Sequence, residues 1–353
     1  MPTTRKPTAP PAELVTGGKP NLGTFELPPR NVNLMDEDVF GMGAATPRLL
    51  KELRYKQWQF FLVVHRRFVM GIAVIDMGKV ATGSFMYVYD REKKQYYDYR
   101  KQIPFADIAL AENVWDGACH FRHKGYSIEF RNRLDAGEHD VTVEMAASGK
   151  KPAVSADLKV FENLDIVKPL VVSLPVGPRS SMYSHKMAAP VQGTIRVGEE
   201  EATLDASMDF VTLDEHKAFY PRHIHWKWMT FGCRMSDGSL IGANLTDNTI
   251  EDQRKWNENA IWTPGAITLL GPAKFEFDRN DIMKPWHIRE EDGRVDLDFT
   301  PLGVKLEQMN LLLIKMDYRQ PFGLFNGTVT DGSGNTHKVK DGFGVTEYYD
   351  ALV

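Results

Sequence analysis

Short apolar runs, some fully hydrophobic and some alternating with polar residues, repeat along most of the chain. They are rich in aromatic and β-branched residues, and turn signals separate them at roughly the 8–12-residue spacing that is typical of β-sandwiches and barrels. No long helical period interleaves with them, which argues against the doubly wound α/β classes. The pattern therefore predicts an all-β protein of antiparallel hairpins. The clearest runs are WQFFLVV (58–64), FVMGIAVIDM (68–77), ATGSFMYVYD (81–90), IHWKWMTFG (224–232) and MNLLLIKMDY (309–318).

Two stretches before the first long run differ from this pattern. TPRLLKELR (46–54) predicts one short helix, with Thr46 as its N-cap and Pro47 in its first position. Residues 1–30 carry seven prolines, a composition that favours extended chain over helix. Two states fit this composition: a disordered leader, or an ordered arm that wraps the body.

Residues 175–190 interrupt the predicted strands with three prolines and no period, and we place a domain boundary there. The predicted organisation is a proline-rich arm and lead-in over 1–45, one β-barrel domain over 46–180 and a second over 181–353. The halves are similar in size, which suggests a duplicated barrel-like unit. They show no obvious sequence repeat, so the duplication rests on the number of predicted strands.

Composition narrows the functional classes. The 353 residues are 42% hydrophobic and carry a net charge of −4, without a long basic run. Because phosphate binding needs a basic stripe, nucleic acid is not expected as a partner. Two cysteines, Cys119 and Cys233, are too few for a disulfide framework and are typical of a reducing compartment. With no apolar signal segment and no long apolar window, we expect a cytoplasmic protein without a membrane span.

The standard cofactor and hydrolase motifs are absent from the sequence. It contains no P-loop, no dinucleotide-binding glycine motif, no H-E-x-x-H and no G-x-S-x-G. We therefore expect no cofactor, and the common hydrolase designs are not supported.

Residues 203–231 concentrate ionisable and aromatic side chains. The triplet Asp214-Glu215-His216 is expected in a loop between two strands. A carboxylic acid in an apolar pocket has a raised pKa, so Asp214 could stay protonated near neutral pH and donate to an alkene or carbonyl. Trp226 and Trp228 could supply such a pocket. The alternative for Asp214 is a solvated loop acid or a cap.

His223 and His225 would lie on one face of a strand, since side chains alternate between faces. They could bind a metal if a third ligand came from elsewhere in the chain. The alternative, histidines hydrogen-bonded at a strand end or barrel mouth, is favoured, so no metal is predicted. The candidate third ligands are His185, His216 and Glu347.

Three further polar positions each have a functional and a structural interpretation. Asn259 precedes a strand and would either orient a ligand or satisfy turn backbone. Arg319 lies in RQPFG (319–323), which predicts a bulge or corner, and would be an ion-pair partner or an anion clamp. Glu347 would face the interior beside two tyrosines or lie exposed near the C-terminus.

Several motifs, in this order, resemble a bacterial family known only as a domain of unknown function. The family resemblance covers most of residues 45–350 and is distantly similar to two-barrel lipocalin-like proteins that include carotenoid 1,2-hydratases of the hydroxyneurosporene synthase type. The resemblance implies two packed lipocalin-like β-barrels with a hydrophobic cavity, and it implies that Asp214 takes the position of an acid that protonates an isoprenoid double bond. The motifs are YSHKMAAPVQGT (183–194), LDEHKAFYPRHIHWKW (213–228), NENAIW (257–262), PWHIREEDGRVDLDFTP (285–301), YRQPFGLFNGTV (318–329) and GVTEYY (344–349).

Two functions from different classes remain. The first is a cofactor-independent hydratase, lyase or isomerase that acts by general acid catalysis on a hydrophobic small molecule, such as an isoprenoid or a lipid-like compound. The second is a non-catalytic carrier that holds the same ligand in a barrel interior. The catalytic candidates are Asp214, His216 and Glu347, and the substrate-binding candidates are Tyr183, His185, His223, His225, Trp226, Trp228, Asn259 and Arg319.

Overall fold

A computed structural model describes residues 5–78, 82–103, 106–311 and 314–352. Residues 1–4 of the predicted arm, and Ala81, Leu312 and Leu313 of the predicted strands, lie outside these described residues. Within the described ranges the chain forms 25 strands, one α-helix, α1 (Arg48–Arg54), and three 3-10 helices, Leu34–Asp36, Gly43–Ala45 and Leu134–Ala136. The prediction of an all-β protein is therefore confirmed.

The first large sheet contains fourteen strands of the described chain, all paired in antiparallel fashion. Its main path runs β7-β6-β5-β4-β16-β14-β12-β11-β10-β9-β8, and β3, β13 and β15 attach to it beside β14. A small separate hairpin is made by β1 (Val15–Thr16) and β2 (Lys19–Pro20). The strands of the sheet are β3 (Gly23–Phe25), β4 (Lys56–Val64), β5 (Phe68–Asp76), β6 (Thr82–Asp90), β7 (Gln95–Gln102), β8 (Asp107–Ala109), β9 (Gly117–His123), β10 (Tyr126–Arg133), β11 (Glu138–Met145), β12 (Val154–Phe161), β13 (Leu170–Gly177), β14 (Ser180–Val197), β15 (Glu200–Leu204) and β16 (Phe210–Ala218).

The second large sheet contains nine strands of the described chain in the order β20-β19-β18-β17-β25-β24-β23-β22-β21. Each sheet is curled into a half-barrel, which confirms the predicted pair of lipocalin-like units. Its strands are β17 (His223–Arg234), β18 (Leu240–Asn248), β19 (Ala260–Thr263), β20 (Ala266–Leu269), β21 (Ala273–Glu276), β22 (Trp286–Glu290), β23 (Val295–Leu311), β24 (Ile314–Thr330) and β25 (Thr336–Leu352).

The two sheets repeat one topology. In each, the first long strand pairs with the last one, β4 with β16 and β17 with β25. The strands that follow the first one continue the sheet on one side, β5-β6-β7 and β18-β19-β20. The strands that precede the last one continue it on the other side, β14-β12-β11-β10 and β24-β23-β22-β21. A shared detail marks the repeat: Gly193 and Gly327 have φ of 135° and 143° and lie opposite Leu158 and Leu297. The duplication suggested by strand count is thus visible in the fold. The change of sheet falls between β16 and β17, while the division into folding units at residue 180 stays a prediction.

The three largest of the apolar cores in the described residues lie in different places. One lies inside the curl of the first sheet and another inside the curl of the second. A third is shared between the sheets and contains Phe60, Phe85 and Tyr87 from the first and Phe322 and Phe343 from the second. Strand alternation sends consecutive residues to different cores, so each central strand contributes both to its own half-barrel and to the space between the sheets.

Several local predictions are wrong. The triplet 214–216 lies within β16 rather than in a loop, because polar residues on both faces of this strand hid its period. Residues 180–190 likewise belong to a long strand, β14. RQPFG (319–323) does not interrupt β24; the irregularity is on the neighbouring strand, between Pro301 and Gly303. The run 309–318 spans parts of two strands, β23 and β24.

The helix and the arm were predicted with different success. The helix is confirmed, but it begins at Arg48 with Pro47 as its N-cap and has no side-chain cap, so Thr46 does not have the predicted role. The described part of the arm, which starts at Arg5, packs against the body, in agreement with the second of the two predicted states. Its strand β3 pairs with β13 of the first sheet, while the Arg5 guanidinium donates to backbone carbonyls of Asn257 and Leu270 in the second part of the chain. In the described ranges, no helix is long and apolar enough to span a bilayer.

Candidate functional site

A cavity of about 570 Å³ lies between the two sheets and is lined by residues of both. The carrier hypothesis placed the ligand inside a barrel, but the cores described above fill the curl of each sheet. The cavity wall is mostly apolar, and the partly exposed side chains of Leu53 and Gln102 lie at its rim. Its Trp, Phe and Tyr side chains are Trp58, Phe60, Phe85, Tyr220, Trp226, Trp228, Tyr318 and Tyr349.

Four acids line the cavity: Asp214, Glu258, Glu307 and Glu347. Two of them, Asp214 from the first sheet and Glu347 from the second, are each held by a tryptophan of the neighbouring strand. The indole N–H of Trp58 donates to Asp214 Oδ2 at 2.9 Å, and that of Trp226 donates to Glu347 Oε2 at 2.8 Å. The two indole rings also contact each other in a tilted arrangement, with ring centroids 6.0 Å apart. The repeated fold therefore presents two similar tryptophan–carboxyl pairs to one shared space.

The next residue on the same face of each acid strand stacks on the tryptophan. The His216 ring lies 4.1 Å from Trp58, and the Tyr349 ring lies 4.0 Å from Trp226. Both stacks follow from register, because His216 is paired with Trp58 across β16 and β4, and Tyr349 with Trp226 across β25 and β17. The stacks fix the rings that carry the hydrogen bonds to the acids.

Asp214 forms a buried ion pair. Lys186, its partner across β14 and β16, donates to Oδ1 of Asp214 and lies 3.5 Å from Glu258 Oε1. Burial raises the pKa of Asp214, but the charge of Lys186, together with hydrogen bonds from Lys186 and Trp58, more than offsets it, so that the pKa falls below its ordinary value. Asp214 is therefore ionised, and Lys186, whose pKa is raised by the two acids against the effect of burial, is protonated.

Glu347 is in the opposite state. Burial raises its pKa to about 7, against the lowering effect of its three hydrogen-bond donors, and the charge of Asp214 raises it further. The other two donors are Tyr318, whose hydroxyl lies 2.8 Å from Oε1, and Gln320, whose amide nitrogen lies 2.7 Å from it. No described cation is hydrogen-bonded to Glu347. The carboxyl can therefore hold a proton near neutral pH inside an apolar space.

His216 is a neutral imidazole within a hydrogen-bonded chain. Burial, and the charges of Lys186 and Lys217 against that of Asp214, lower its pKa to about 3. Its Nδ1 is hydrogen-bonded to the Ser184 hydroxyl at 2.6 Å and its Nε2 to the Tyr220 hydroxyl at 2.8 Å. Both nitrogens are thus occupied, so the ring positions other groups rather than carrying charge.

Three of the predicted binding residues lie on the surface, away from the cavity lining. His223 and His225 share a face of β17, as predicted, with ring centroids 5.6 Å apart; both are exposed, and His223 is hydrogen-bonded to Asp350. Arg319 donates twice to Asp317 at 2.8 Å, which is the ion-pair interpretation. In the described part of the chain, no three acidic, histidine or cysteine side chains are grouped to hold a metal.

Three others are buried without lining the cavity. His185 points into the first half-barrel, where its Nε2 lies 2.7 Å from Glu162 Oε1. Tyr183 packs in an apolar cluster with Leu14 and Phe25 of the arm. The Asn259 amide bonds backbone groups, including the Thr246 N–H at 2.6 Å, which is the turn-satisfying interpretation.

Of the predicted site residues, the structure brings Asp214, His216, Trp226, Trp228 and Glu347 into the cavity lining. It adds Lys186, Glu258 and Trp58, which are not among the predicted site residues. Lys186 and Glu258 lie within the family-like motifs YSHKM and NENAIW, so those motifs were the available signal. Which residue within each motif faced the site depended on strand register, which the misread segments 180–190 and 214–216 concealed.

Comparison with known proteins places the chain in a family. A model for a domain of unknown function, DUF2804, matches residues 17–352. The chain belongs to the DUF2804 family. This confirms the resemblance found in the sequence to a family of unknown function, and the family match includes every strand from β2 onwards. No curated protein matches this DUF2804 chain.

Solved structures share the architecture of this DUF2804 protein. CghA aligns with 85% of this chain and 88% of its own, with a TM-score of 0.53 at 10% identity. CghA with Sch210972 gives a TM-score of 0.51 at 9% identity, over 84% and 88% of the two chains. Kievitone hydratase from Nectria haematococca gives 0.43 at 11% identity, over 84% and 88%. The two CghA structures show that the two-sheet fold is a known one.

Proposed function

We propose that the cavity binds a hydrophobic small molecule and that the DUF2804 protein is a cofactor-independent hydratase, lyase or isomerase with Glu347 as its general acid. The observation that carries the proposal is the raised pKa of Glu347, about 7, within an apolar cavity. A general acid works best when its pKa lies near the operating pH. The fold is shared with CghA, a structure of which has been solved with Sch210972.

Asp214 and Glu347 take different roles because their environments push their pKa values apart. Glu347 would donate its proton to an alkene carbon or carbonyl oxygen of the substrate, which then carries the positive charge. The ionised Asp214 and the faces of Trp58 and Trp226 would stabilise that charge. His216 would hold the Trp58 ring, and with it Asp214, in place.

The second step restores the acid and balances the reaction. In hydration, a water oxygen bonds to the cationic carbon and one water proton returns to the Glu347 carboxylate. In isomerisation, the carboxylate instead removes a proton from a neighbouring carbon. Lyase chemistry is the reverse of hydration. None of these routes needs an oxidant, a reductant or a metal.

Glu347→Gln tests the proposal, because it keeps the shape of the side chain and removes the acidic proton. We expect turnover to fall by roughly 10²–10⁴-fold, the usual contribution of a general acid. The assay incubates protein with an apolar extract of the source organism and follows by mass spectrometry a compound that gains or loses water or isomerises. Wild-type turnover should also fall as pH rises above about 7, because Glu347 then loses its proton.

The matched control is Glu37→Gln. The Glu37 carboxyl is also buried with a pKa raised to about 7, but it bonds Ser181 outside the cavity lining. This control should retain turnover and the wild-type pH profile. Equal turnover in wild type and Glu347→Gln would refute the acid assignment. A compound retained by the protein but recovered unchanged would instead identify the non-catalytic carrier.

A further inference from the structure

Lys56 is a buried cation of the cavity lining that has no acidic partner among the described residues. It is more than nine-tenths buried, and on β4 it precedes Trp58 and Phe60, which also line the cavity. Because side chains alternate along a strand, the Lys56 side chain lies on the same face as these two rings. Its ammonium donates to the carbonyl oxygens of Leu53 at 3.2 Å and Met77 at 2.8 Å. A lysine ammonium has three N–H donors, so within the described ranges the third one is left for a ligand.

The other cations of the described cavity lining are paired with acids or point elsewhere. Lys186 pairs with two acids, and Arg100 pairs with a glutamate of β23 at 3.2 Å. Lys101 is the register partner of Ser84, whose hydroxyl is bonded within the first half-barrel. Since directly opposed residues share a face of the sheet, the Lys101 side chain lies on that side. Among these cations, Lys56 is therefore the one that faces the cavity without an acid.

Burial affects Lys56 as expected for a charge that lacks an acidic partner. It lowers the pKa of Lys56 below its ordinary value, with the charge of Asp76 opposing this effect and that of Arg54 adding to it. The pKa of Lys186, by contrast, is raised, because its acids outweigh burial. Lysines are almost never buried unless they are paired. A ligand could supply to Lys56 the acid that the described chain does not.

Lys56 lies near the mouth of the cavity, away from Asp214. Its acceptor Leu53 is an exposed residue at the rim. Asp214 is the register partner of Phe60, which comes later on β4 with Trp58 in between. Strands rise about 3.3 Å per residue, so the two positions are about 13 Å apart along the strand. An anion bound to Lys56 would therefore be kept away from the ionised Asp214, which would repel it.

We infer that the ligand of this cavity is an amphiphile with an apolar body and one anionic head group of the carboxylate type, and that Lys56 binds the head group. The inference rests on the proposed function and names its substrate class. A carboxylate oxygen would accept the remaining N–H of Lys56 in a charge-assisted hydrogen bond. The body would then lie along Trp58, whose ring contacts the indole that bonds Glu347. This arrangement brings the reacting atoms beside the general acid.

The test compares probes that share a skeleton and differ in charge, by calorimetric titration of the full chain at pH 7. The probes are decanoate, 1-decanol and decylamine, and 2-naphthaleneacetate against 2-naphthaleneethanol. We expect the carboxylate of at least one skeleton to bind about ten-fold or more tightly than its alcohol, which is the range of a hydrogen bond to a charged group. Decylamine should bind more weakly than decanoate.

Lys56→Met keeps an unbranched apolar side chain and removes the charge. It should weaken binding of the preferred carboxylate by about ten-fold and leave the affinity for the alcohol unchanged. Lys56→Arg keeps the charge and should retain the preference for the carboxylate. Lys284→Met is the control, because Lys284 pairs with Asp278 on the surface outside the cavity lining; it should change neither affinity.

Three results would each overturn the inference: alcohol or amine binding as tight as that of the carboxylate, equal weakening of both probes by Lys56→Met, or binding of no probe to folded protein. If Lys56→Met does not fold, the wild-type and Lys56→Arg titrations still decide. The readout is binding, so it is independent of turnover. Carboxylate-selective binding without turnover would refute only the catalytic proposal, and alcohol preference with loss of turnover in Glu347→Gln would refute only this inference.

Discussion

Lys186 neutralises the charge of Asp214 inside an apolar space, and this makes it the residue on which the ionised half of the site depends. Its ammonium is almost fully buried, with a side chain 4% exposed. Removing one partner of a buried ion pair leaves the other charge uncompensated, which typically costs about 3–5 kcal/mol. The Lys186–Asp214 ion pair therefore both keeps the cavity carboxylate ionised and stabilises the first sheet.

We predict that Lys186→Met lowers the free energy of unfolding by about 3–5 kcal/mol, measured by urea denaturation at pH 7. The double variant Lys186→Met with Asp214→Asn should recover part of that loss, because the charge left unpaired is then removed. Lys284→Met is the surface control, since Lys284 pairs with Asp278 in solvent, where an ion pair adds little to stability. A loss below about 1 kcal/mol for Lys186→Met would contradict the prediction.

At the residue scale, sequence reasoning could find candidates but not their charge states. Asp214, Glu347, Trp226 and Trp228 stand out by chemical type and by motif, and all four line the cavity. Lys186 resembles any strand lysine until β14 is paired with β16. Glu258 comes 72 residues later, and its position beside Lys186 depends on how the two sheets pack. The different protonation states of Asp214 and Glu347 therefore could not be predicted from the spacing of residues along the sequence.

At the scale of the element, β16 shows why a functional strand escapes pattern recognition. It is a central strand, paired on both sides with β4 and β14, and all nine of its residues are buried. The alternation of apolar and polar residues that normally identifies a strand is absent from β16. Glu215 and Lys217 bond each other on the half-barrel side, while Asp214 and His216 face the cavity. From the sequence alone, a strand with paired polar side chains on both faces cannot be distinguished from a loop.

Gly193 and Gly327 occupy matching positions in the two halves of the fold, opposite Leu158 and Leu297. In each case an added Cβ would lie 2.1 Å from a backbone carbonyl oxygen, that of Asp157 or Asp296. Both also have positive φ, which disfavours any side chain. The matching Asp-Leu and Gly-Thr pairs (157–158 with 193–194, 296–297 with 327–328) are the sequence repeat that composition alone did not reveal.

We predict that Gly193→Ala and Gly327→Ala each cost about 2–5 kcal/mol, the sum of roughly 1–2 for the backbone conformation and 1–3 for overpacking. Gly238→Ala is the matched control, because Gly238 has φ of 83° but open space where the Cβ would lie. It should cost only the conformational part. Urea denaturation measures all three, and equal losses at Gly193 and Gly238 would show that the close contact with Asp157 is relieved without cost.

On the scale of the whole molecule, the duplicated fold has diverged at one position that decides the protonation of each acid. Lys186 and Gln320 lie seven residues before Gly193 and Gly327, respectively, and each bonds the acid of its own sheet. A cation at the first position keeps Asp214 ionised, while an amide at the second leaves the pKa of Glu347 raised. Two copies of one architecture thus supply one carboxylate and one carboxylic acid to a shared cavity.

We predict that Gln320→Lys converts the second copy to the state of the first. The new ammonium would lower the pKa of Glu347, since an opposite charge within about 4–6 Å favours the ionised form. Turnover at pH 7 should then fall toward that of Glu347→Gln. In the pH profile, the decline of turnover with rising pH, which is near pH 7 in the wild type, should occur at a lower pH. Gln320→Met is the control: it removes the amide without adding charge, so Glu347 stays protonated and turnover persists. Both variants must show cooperative unfolding, and a Gln320→Lys protein that is folded and retains the wild-type pH profile would show that protonation of Glu347 does not set the rate.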